Sequence, residues 1–372
     1  MAEVIPWPVI DRRPEIVQQA VQFLQAGRLA AFPIDAGYAV AANVLDPAAV
    51  EQLAALPGEP SELVVAFATP NQALDWAPTV SDVGRRLARR CWPGPVVLVV
   101  NEGIGAGPFS RLPEPVRQRL SPDGSLSLYV PTHEAITETL YALVAPLVVR
   151  LLPGLSTAEQ VNATFGDQLA LVVDDGPLPD SKGMTVVQLQ GAGWTMQREG
   201  VASAAEIARR TTCVVIFVCT GNTCRSPMAE ALCVKLLTER LHCTRDELPA
   251  KGFIVLSAGV AALPGDEATR EAVDVAAELG ADLSEHVSQP LSADMVTAAD
   301  FLLTMTRGHQ AAVAMRFGRN GPEPRLLDPS GEDIADPVGA DAHVYRDCAR
   351  QILQHLQVLM RELIPESTTP KE

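Results

Sequence analysis

The sequence predicts an α/β protein in two parts: an α/β domain over residues 1–208, then a doubly wound, parallel-sheet domain over residues 212–366. Three observations carry this expectation. The chain has 372 residues, enough for two domains of roughly 100–200 residues each. Short β-branched apolar runs alternate with helical stretches through both halves. Between Val186 and Thr212 the pattern breaks into a Gly-rich turn, a short helix and the pair Arg209-Arg210 before a new apolar run begins.

In the first half, helices are expected over 14–26, 47–55, 80–90 and 134–143, and strands from LAAFPI, LVVAFAT, PVVLVV, LALVVD and MTVVQL. Ser203 followed by Glu206 reads as a capping box for the short helix before the boundary. The second half opens on TTCVVIFVC, a buried strand. A helix from Pro227, the strand GFIVLSAG, a helix from Asp266, the strand FLLTMT and a closing helix over 343–363 follow. Strand followed by helix at each step favours a parallel sheet with a site at the carboxyl ends of its strands.

Composition narrows the function. Of the side chains, 29 are basic and 45 acidic, a formal charge of −16, split as −7 before residue 211 and −9 after it. There is no Lys/Arg block, so no domain-wide field favours a nucleic-acid backbone, and nucleic acid is not an expected partner. The arginines at 85, 86, 89 and 90 read as a solvated helix face, with RNA contact the alternative. Uncharged runs such as 183–197 fall short of a membrane span, and the first residues lack a signal-peptide pattern, so a soluble, cytoplasmic protein is expected. Seven irregularly spaced cysteines suit a reducing compartment, and six of them lie after residue 210. The six histidines (133, 242, 286, 309, 343, 355) are scattered, which predicts no metal site and assigns them to surface or packing. No cofactor is expected.

The chemistry concentrates in VVIFVCTGNTCRSPMAEAL, residues 214–232. A strand ends at Cys219, five residues follow, and Arg225-Ser226-Pro227 opens a helix with Ser226 as its expected cap. Loop amides and the positive helix end should converge to form an anion nest. Gly221 and Asn222 are the types that most easily take the positive φ of such a wrap. At the centre of that cradle Cys219 is favoured as a thiolate nucleophile. Arg225 can grip two phosphoryl oxygens through its planar fork.

CTGNTCRSPMAEA resembles the phosphate-binding loop of the low-molecular-weight protein phosphatases. The likeness extends through Ser257-Ala258-Gly259, HVSQPLSADMVTAADFLLTMTRGH and Asp336-Pro337, covering roughly residues 212–364. The resemblance implies a two-step reaction through a phosphocysteine at Cys219, with Arg225 binding phosphate, Ser226 supporting the thiolate and Asn222 shaping the loop. It implies contacts to substrate from Thr220, Gly221, Asn222, Thr223, Cys224 and Ser226, and a phosphorylated protein as partner. Cys224 matches a second loop cysteine that can form a reversible disulfide with the nucleophile; a packed small hydrophobe is the alternative. The acid that protonates the leaving group is one of two Asp-Pro pairs, and family position selects Asp336 over Asp328.

The substrate is narrowed by what surrounds the loop. Tyrosine-directed members carry aromatic walls beside the acid, whereas here Val338 follows Pro337 and Tyr345 is the only Tyr after residue 212. Thr223 stands where tyrosine-directed members commonly have a larger aliphatic residue, and resembles the protein-arginine phosphatase branch. Phosphoarginine is therefore expected ahead of phosphotyrosine. Arsenate reductases share such a loop but carry further redox cysteines downstream, where only Cys348 follows Cys243 here.

Residues 10–208 resemble the threonylcarbamoyl-adenylate (threonylcarbamoyl-AMP) synthases, YrdC-like proteins of tRNA modification, through AGRLAAFPIDAGYAVA, WPGPVVLVV, LALVVDDG, MTVVQL and QREGVASAAEI. The departures fall where that chemistry should be. The family's Lys-x-Arg-Pro reads Pro57-Gly58-Glu59-Pro60, its Thr-containing loop reads Ile34-Asp35-Ala36, its Ser-Ala-Asn loop reads near Arg150-Leu151-Leu152-Pro153, and Met184 precedes Thr185 where Ser is usual. Both phosphate-binding cations are gone, and Glu59 would repel a phosphate. No adenylate synthase activity is expected. Retained nucleotide or RNA binding is the alternative role of this domain, and its ligand stays unassigned.

Overall fold

The computed structural model describes residues 2–7, 10–58, 62–179, 182–191, 193–318 and 320–364. The chain divides into two compact units, residues 1–211 and 212–372.

The first unit is built on a ten-stranded mixed sheet. In chain order its strands are β1 (Glu3–Pro6), β2 (Leu29–Ile34), β3 (Gly37–Asn43), β4 (Leu63–Ala66), β5 (Val96–Val100), β6 (Leu126–Tyr129), β7 (Leu147–Leu152), β8 (Leu169–Asp174), β9 (Thr185–Gln190) and β10 (Gly193–Arg198). They lie side by side as β1-β8-β2-β3-β7-β4-β6-β5-β9-β10. The five apolar runs of the sequence are β2, β4, β5, β8 and β9. The strands it did not signal include β3, GYAVAAN, whose Gly and Ala are poor strand formers in isolation and pair because β2 and β7 flank them. Successive residues feed opposite faces: Tyr38, Val40 and Ala42 enter one core, Ala39 and Ala41 the other.

In the first unit one local expectation is met and another, the solvated face of clustered arginines, is corrected. Glu206 N donates to Ser203 Oγ at 3.3 Å and Ser203 N to Glu206 Oε2 at 2.7 Å, which closes the capping box. Arg86 Nε donates to the Thr211 carbonyl (3.1 Å) and Arg90 Nη1 to that of Arg210 (2.9 Å), tying down the last carbonyls of the helix Ala204–Thr211. Arg85 Nη2 likewise donates to the Pro78 carbonyl, so three of the four clustered arginines are spent on structure.

The second unit carries four parallel strands, β11 (Cys213–Cys219), β12 (Phe253–Gly259), β13 (Phe301–Thr304) and β14 (Arg325–Leu326), in the order β12-β11-β13-β14. Cys213, Val215, Phe217 and Cys219 of β11 face one core with the helices Arg225–Leu241, Arg270–Glu278 and Ala342–Leu363. Val214, Ile216 and Val218 face the other, with Ala293–Ala298 and Arg307–Phe317. Because β11 is followed by a neighbour on one side and later by one on the other, its carboxyl end is the topological switch point, where an open α/β sheet leaves a crevice. The helix expected from Asp266 begins instead at Arg270, capped by Thr269. Residues 265–267 are held in extended pairing, with Gly265 N on the Ser288 carbonyl, Ser288 N on that of Asp266, and Glu267 bridged to Val287. Among the described residues no helix is long and apolar enough to cross a membrane.

Candidate active site

β11 delivers Cys219 to the switch point, 3 % exposed, and the chain then wraps through Thr220 to Cys224. The wrap turns on Asn222, fully buried with φ +59°, a left-handed conformation that Asn tolerates better than most residues. Gly221 does not take a positive φ, so the sequence expectation holds for one of the two residues it named. Having turned, the chain aims Asn222 N at Cys219 Sγ, 3.2 Å away. Asn222 Nδ2 donates to Ser226 Oγ (3.0 Å) and Ser257 Oγ (2.9 Å), Oδ1 accepts from Gln289 N (2.9 Å), and its carbonyl lies 2.8 Å from His286 Nε2. Ser257 Oγ in turn donates to Glu230 Oε2 at 2.7 Å, and Arg245 Nη2 reaches Glu230 Oε1 at 3.1 Å.

Ser226 is not the helix cap. The helix starts one residue earlier, at Arg225, with Cys224 at the cap position and no side-chain capping bond. The buried Ser226 hydroxyl faces inward instead, 3.0 Å from Cys219 Sγ and 3.3 Å from the Ala258 carbonyl. Two polar groups therefore converge on the sulfur.

Arg225 is buried at the first helical position. Nη1 donates to the Ile334 carbonyl (3.2 Å), Nη2 pairs with Asp336 Oδ2, and Nε, also buried, has no hydrogen-bond partner among the described residues. Asp336 remains largely exposed, with its other oxygen on Val338 N. Asp328 sits elsewhere: its Oδ1 takes the amide (2.8 Å) and hydroxyl (2.7 Å) of Ser330, a closed Asx turn. Burial works against that carboxylate, but Ser330 and His355 together hold its pKa below the usual value.

The remaining loop residues are supported from beneath. Thr223, half-buried, has its carbonyl held by Thr269 N at 2.9 Å. The sulfur of Cys224 lies 3.5 Å from both Thr269 Oγ1 and Tyr345 Oη. Burial, then the adjacent Cys224, pushes the Tyr345 phenol up to about 12. Tyr345 is thus a buried prop under the loop and not a wall at its mouth. Cys348 lies one turn further along the same helix, its thiol pushed up to about 12 mainly by burial. All seven cysteines are free thiols, and no three His, Cys, Asp or Glu side chains among the described residues could share a metal ion.

Two histidines that the sequence assigned to surface or packing belong to this site. His286 holds the Asn222 carbonyl, and His309 Nε2 lies 2.8 Å from Thr220 Oγ1. Both fall inside the HVSQ…TRGH stretch, yet nothing in their spacing marks them, because the loop they meet is over 60 residues away.

In the first unit, Glu59 and Pro60 of the degenerate signature lie outside the described residues. Pro57 is described, and its carbonyl, like that of Leu56, receives the buried Arg150 guanidinium. Asp35 is engaged by Tyr129 Oη and by the amide and hydroxyl of Thr132. Thr185 is fully buried, closing a turn with Gly200 N, Ala202 N and the Ala202 carbonyl.

Comparison with known proteins gives two family matches. Residues 214–368 match the low molecular weight phosphotyrosine protein phosphatases, and residues 22–200 match the Sua5/yciO/yrdC family described as telomere recombination. A protein-arginine-phosphatase of Bacillus subtilis is 38% identical over 153 residues, 40% of this chain and 95% of that protein. A probable low molecular weight protein-tyrosine-phosphatase, EpsP, of Ralstonia nicotianae is 36% identical over 139 residues, 37% of this chain and 87% of that protein. A putative threonylcarbamoyl-AMP synthase of Mycobacterium tuberculosis is 28% identical over 207 residues, 53% of this chain and 90% of that protein.

The loop's dependence on close backbone approach is testable at Gly259, at the end of β12. A Cβ there would lie 2.4 Å from the Thr220 carbonyl, 2.7 Å from Ala262 Cβ and 3.1 Å from Asn222 N. Gly259→Ala should destabilise the protein by about 1–3 kcal/mol, read as a lower denaturation midpoint, and weaken inorganic phosphate binding. An unchanged midpoint and phosphate affinity would show that the loop does not rest on this contact.

Proposed function

The chain belongs to the low-molecular-weight protein phosphatase family, and from that premise we propose that it hydrolyses phosphorylated protein side chains through a phosphocysteine on Cys219, with phosphoarginine preferred to phosphotyrosine. The observation that carries the reading is the pairing of Cys219 with Arg225. A sulfur receiving polar contacts from Asn222 N and Ser226 Oγ sits in a loop whose buried Arg225 keeps its Nε–H unengaged among the described residues. A buried guanidinium N–H without an acceptor is costly, and a phosphoryl oxygen supplies one.

In the first step the Cys219 thiolate attacks phosphorus in line with the leaving group. The S–P bond forms as the P–N bond of phosphoarginine, or the P–O bond of phosphotyrosine, breaks. Asp336, protonated, gives its proton to the departing nitrogen or oxygen. Arg225 and the loop amides, with Thr220, Gly221, Thr223 and Cys224 lining the cradle, take the charge that spreads over the equatorial oxygens. In the second step Asp336 removes a proton from water as its oxygen attacks phosphorus. Inorganic phosphate leaves and the thiolate returns. Ser226 supports the sulfur in both steps.

The distribution of aromatic rings supports phosphoarginine. After residue 212 there are four Phe, one Tyr and no Trp. Phe253 and Phe301 open β12 and β13, at the strand ends remote from the loop, and Phe317 closes its helix. Phe217 lies in the core, and Tyr345 is buried beneath Cys224. No ring is left to stack on a phenol, whereas Asp336 and the small polar Thr223 suit a planar group bearing N–H donors.

For the first unit we propose a divergent, YrdC-like fold without synthase activity. Its Lys-x-Arg-Pro segment has lost both cations, and the nearby Arg150 is spent on backbone carbonyls.

Cys219→Ser should lower turnover of p-nitrophenyl phosphate by more than about a thousandfold, while inorganic phosphate still binds. Native turnover in that variant would overturn the mechanism. Wild-type protein should hydrolyse phosphoarginine peptides faster than phosphotyrosine peptides, and Thr223→Ile should narrow that ratio; a tyrosine preference unaffected by the substitution reverses the ranking. Pyrophosphate release from ATP in the presence of threonine and bicarbonate should be absent, and its detection would restore synthase activity to the first unit.

A further inference from the structure

His309 is the third residue of the helix Arg307–Phe317, its amide bonded to the Thr306 cap at 3.2 Å. The imidazole is 7 % exposed, and it spans two parts of the site. Nε2 lies 2.8 Å from the hydroxyl of Thr220, the first residue after the nucleophile. Nδ1 is buried without a hydrogen-bond partner among the described residues.

We propose that His309 is a positioning residue of the phosphate loop, anchoring Thr220 from the adjacent helix so that the first turn after Cys219 stays closed around the phosphoryl group. The proposal rests on the phosphatase reading of the same loop. Three observations support it. Thr220 is the exposed member of the loop, so its side chain has no core packing to fix it. Its backbone carbonyl is held by Ala261 N at 3.0 Å. The bond to His309 therefore supplies the second, side-chain restraint. With His286 on the carbonyl of Asn222, two imidazoles from separate segments hold alternate residues of one loop.

An anchor beside Arg225 has to be uncharged, or it would compete for the anion. Burial first, and the nearby guanidinium second, hold the His309 pKa down to about 4, against the opposing pull of Asp336 and Asp333. At neutral pH the ring is therefore a neutral hydrogen-bonding group. Lys or Arg there would add a second cation, and an aliphatic side chain would leave the Thr220 hydroxyl without its partner.

The experiment measures inorganic phosphate affinity in the Cys219→Ser background, where no turnover is needed, alongside kcat and KM in otherwise native protein. His309→Leu is expected to weaken phosphate binding and raise KM about tenfold, with a smaller change in kcat. His309→Gln, which can still bond the hydroxyl, should recover both to within about threefold. Thr220→Val should reproduce the loss from the other side of the bond, and the double variant should be no worse than either single one. Thr220→Val also keeps the idea testable should His309→Leu fail to fold. Phosphate affinity and KM unchanged in His309→Leu and Thr220→Val, or losses that simply add, would overturn the anchor. A native protein that binds phosphate but turns over no phosphorylated substrate would overturn the phosphatase reading alone.

Discussion

Asn222 is buried, left-handed, and engaged at every polar atom it owns. Its amide meets the Cys219 sulfur, its carbonyl meets His286, its side-chain nitrogen meets two serines, and its side-chain oxygen meets Gln289 N. A polar residue shut away from water is tolerated only when its groups are paired. Pairing them requires β11 for Cys219, β12 for Ser257, the 286–289 segment for His286 and Gln289, and the helix Arg225–Leu241 for Ser226. The loop is thus the point where four segments of the second unit must agree. This is why Gly259 has no room for a side chain, since the β12 strand end that supplies Ser257 must pass against the loop it supports.

What was legible in the sequence divides along this line. The alternation of β11 to β13 with helices, and the five-residue spacing from Cys219 to Arg225, are local patterns set by side-chain periodicity and turn chemistry. They read correctly because neighbours in sequence are neighbours in space. Strand β3 was invisible for the opposite reason, since Gly and Ala become a strand only between β2 and β7. Ser226 looked like a cap because Ser before Pro usually is one, but the Cys219 sulfur makes a competing claim on its hydroxyl. The histidines failed most clearly: His286 and His309 act through loop atoms 64 and 89 residues distant, a relation that no spacing rule contains.

The two units spend their arginines differently. In the first, Arg86, Arg90 and Arg150 donate to backbone carbonyls, so their charge completes helix ends and a loop. In the second, Arg225 is buried yet keeps an N–H in reserve. The formal charge of −16 makes this contrast meaningful. In a chain with so broad an acidic surplus, attraction for an anionic group depends on where single cations are held back from structural duty.

The ion pair between Arg225 and Asp336 bears on which anions the crevice admits. While the two are joined, the strongest positive charge near Cys219 is already compensated, and the groove presents little net field to passing chloride or to carboxylate side chains. A newcomer can meet the unengaged Nε–H, but to hold the whole guanidinium fork it has to compete with Asp336. A monoanion offers at most an even exchange, whereas a phosphoryl dianion brings more charge and three oxygens arranged for the loop. On the proposed mechanism, displacing Asp336 would also free the group that hands over the proton. On that mechanism admission and readiness for catalysis would become one event, with discrimination by charge exercised before any chemistry begins.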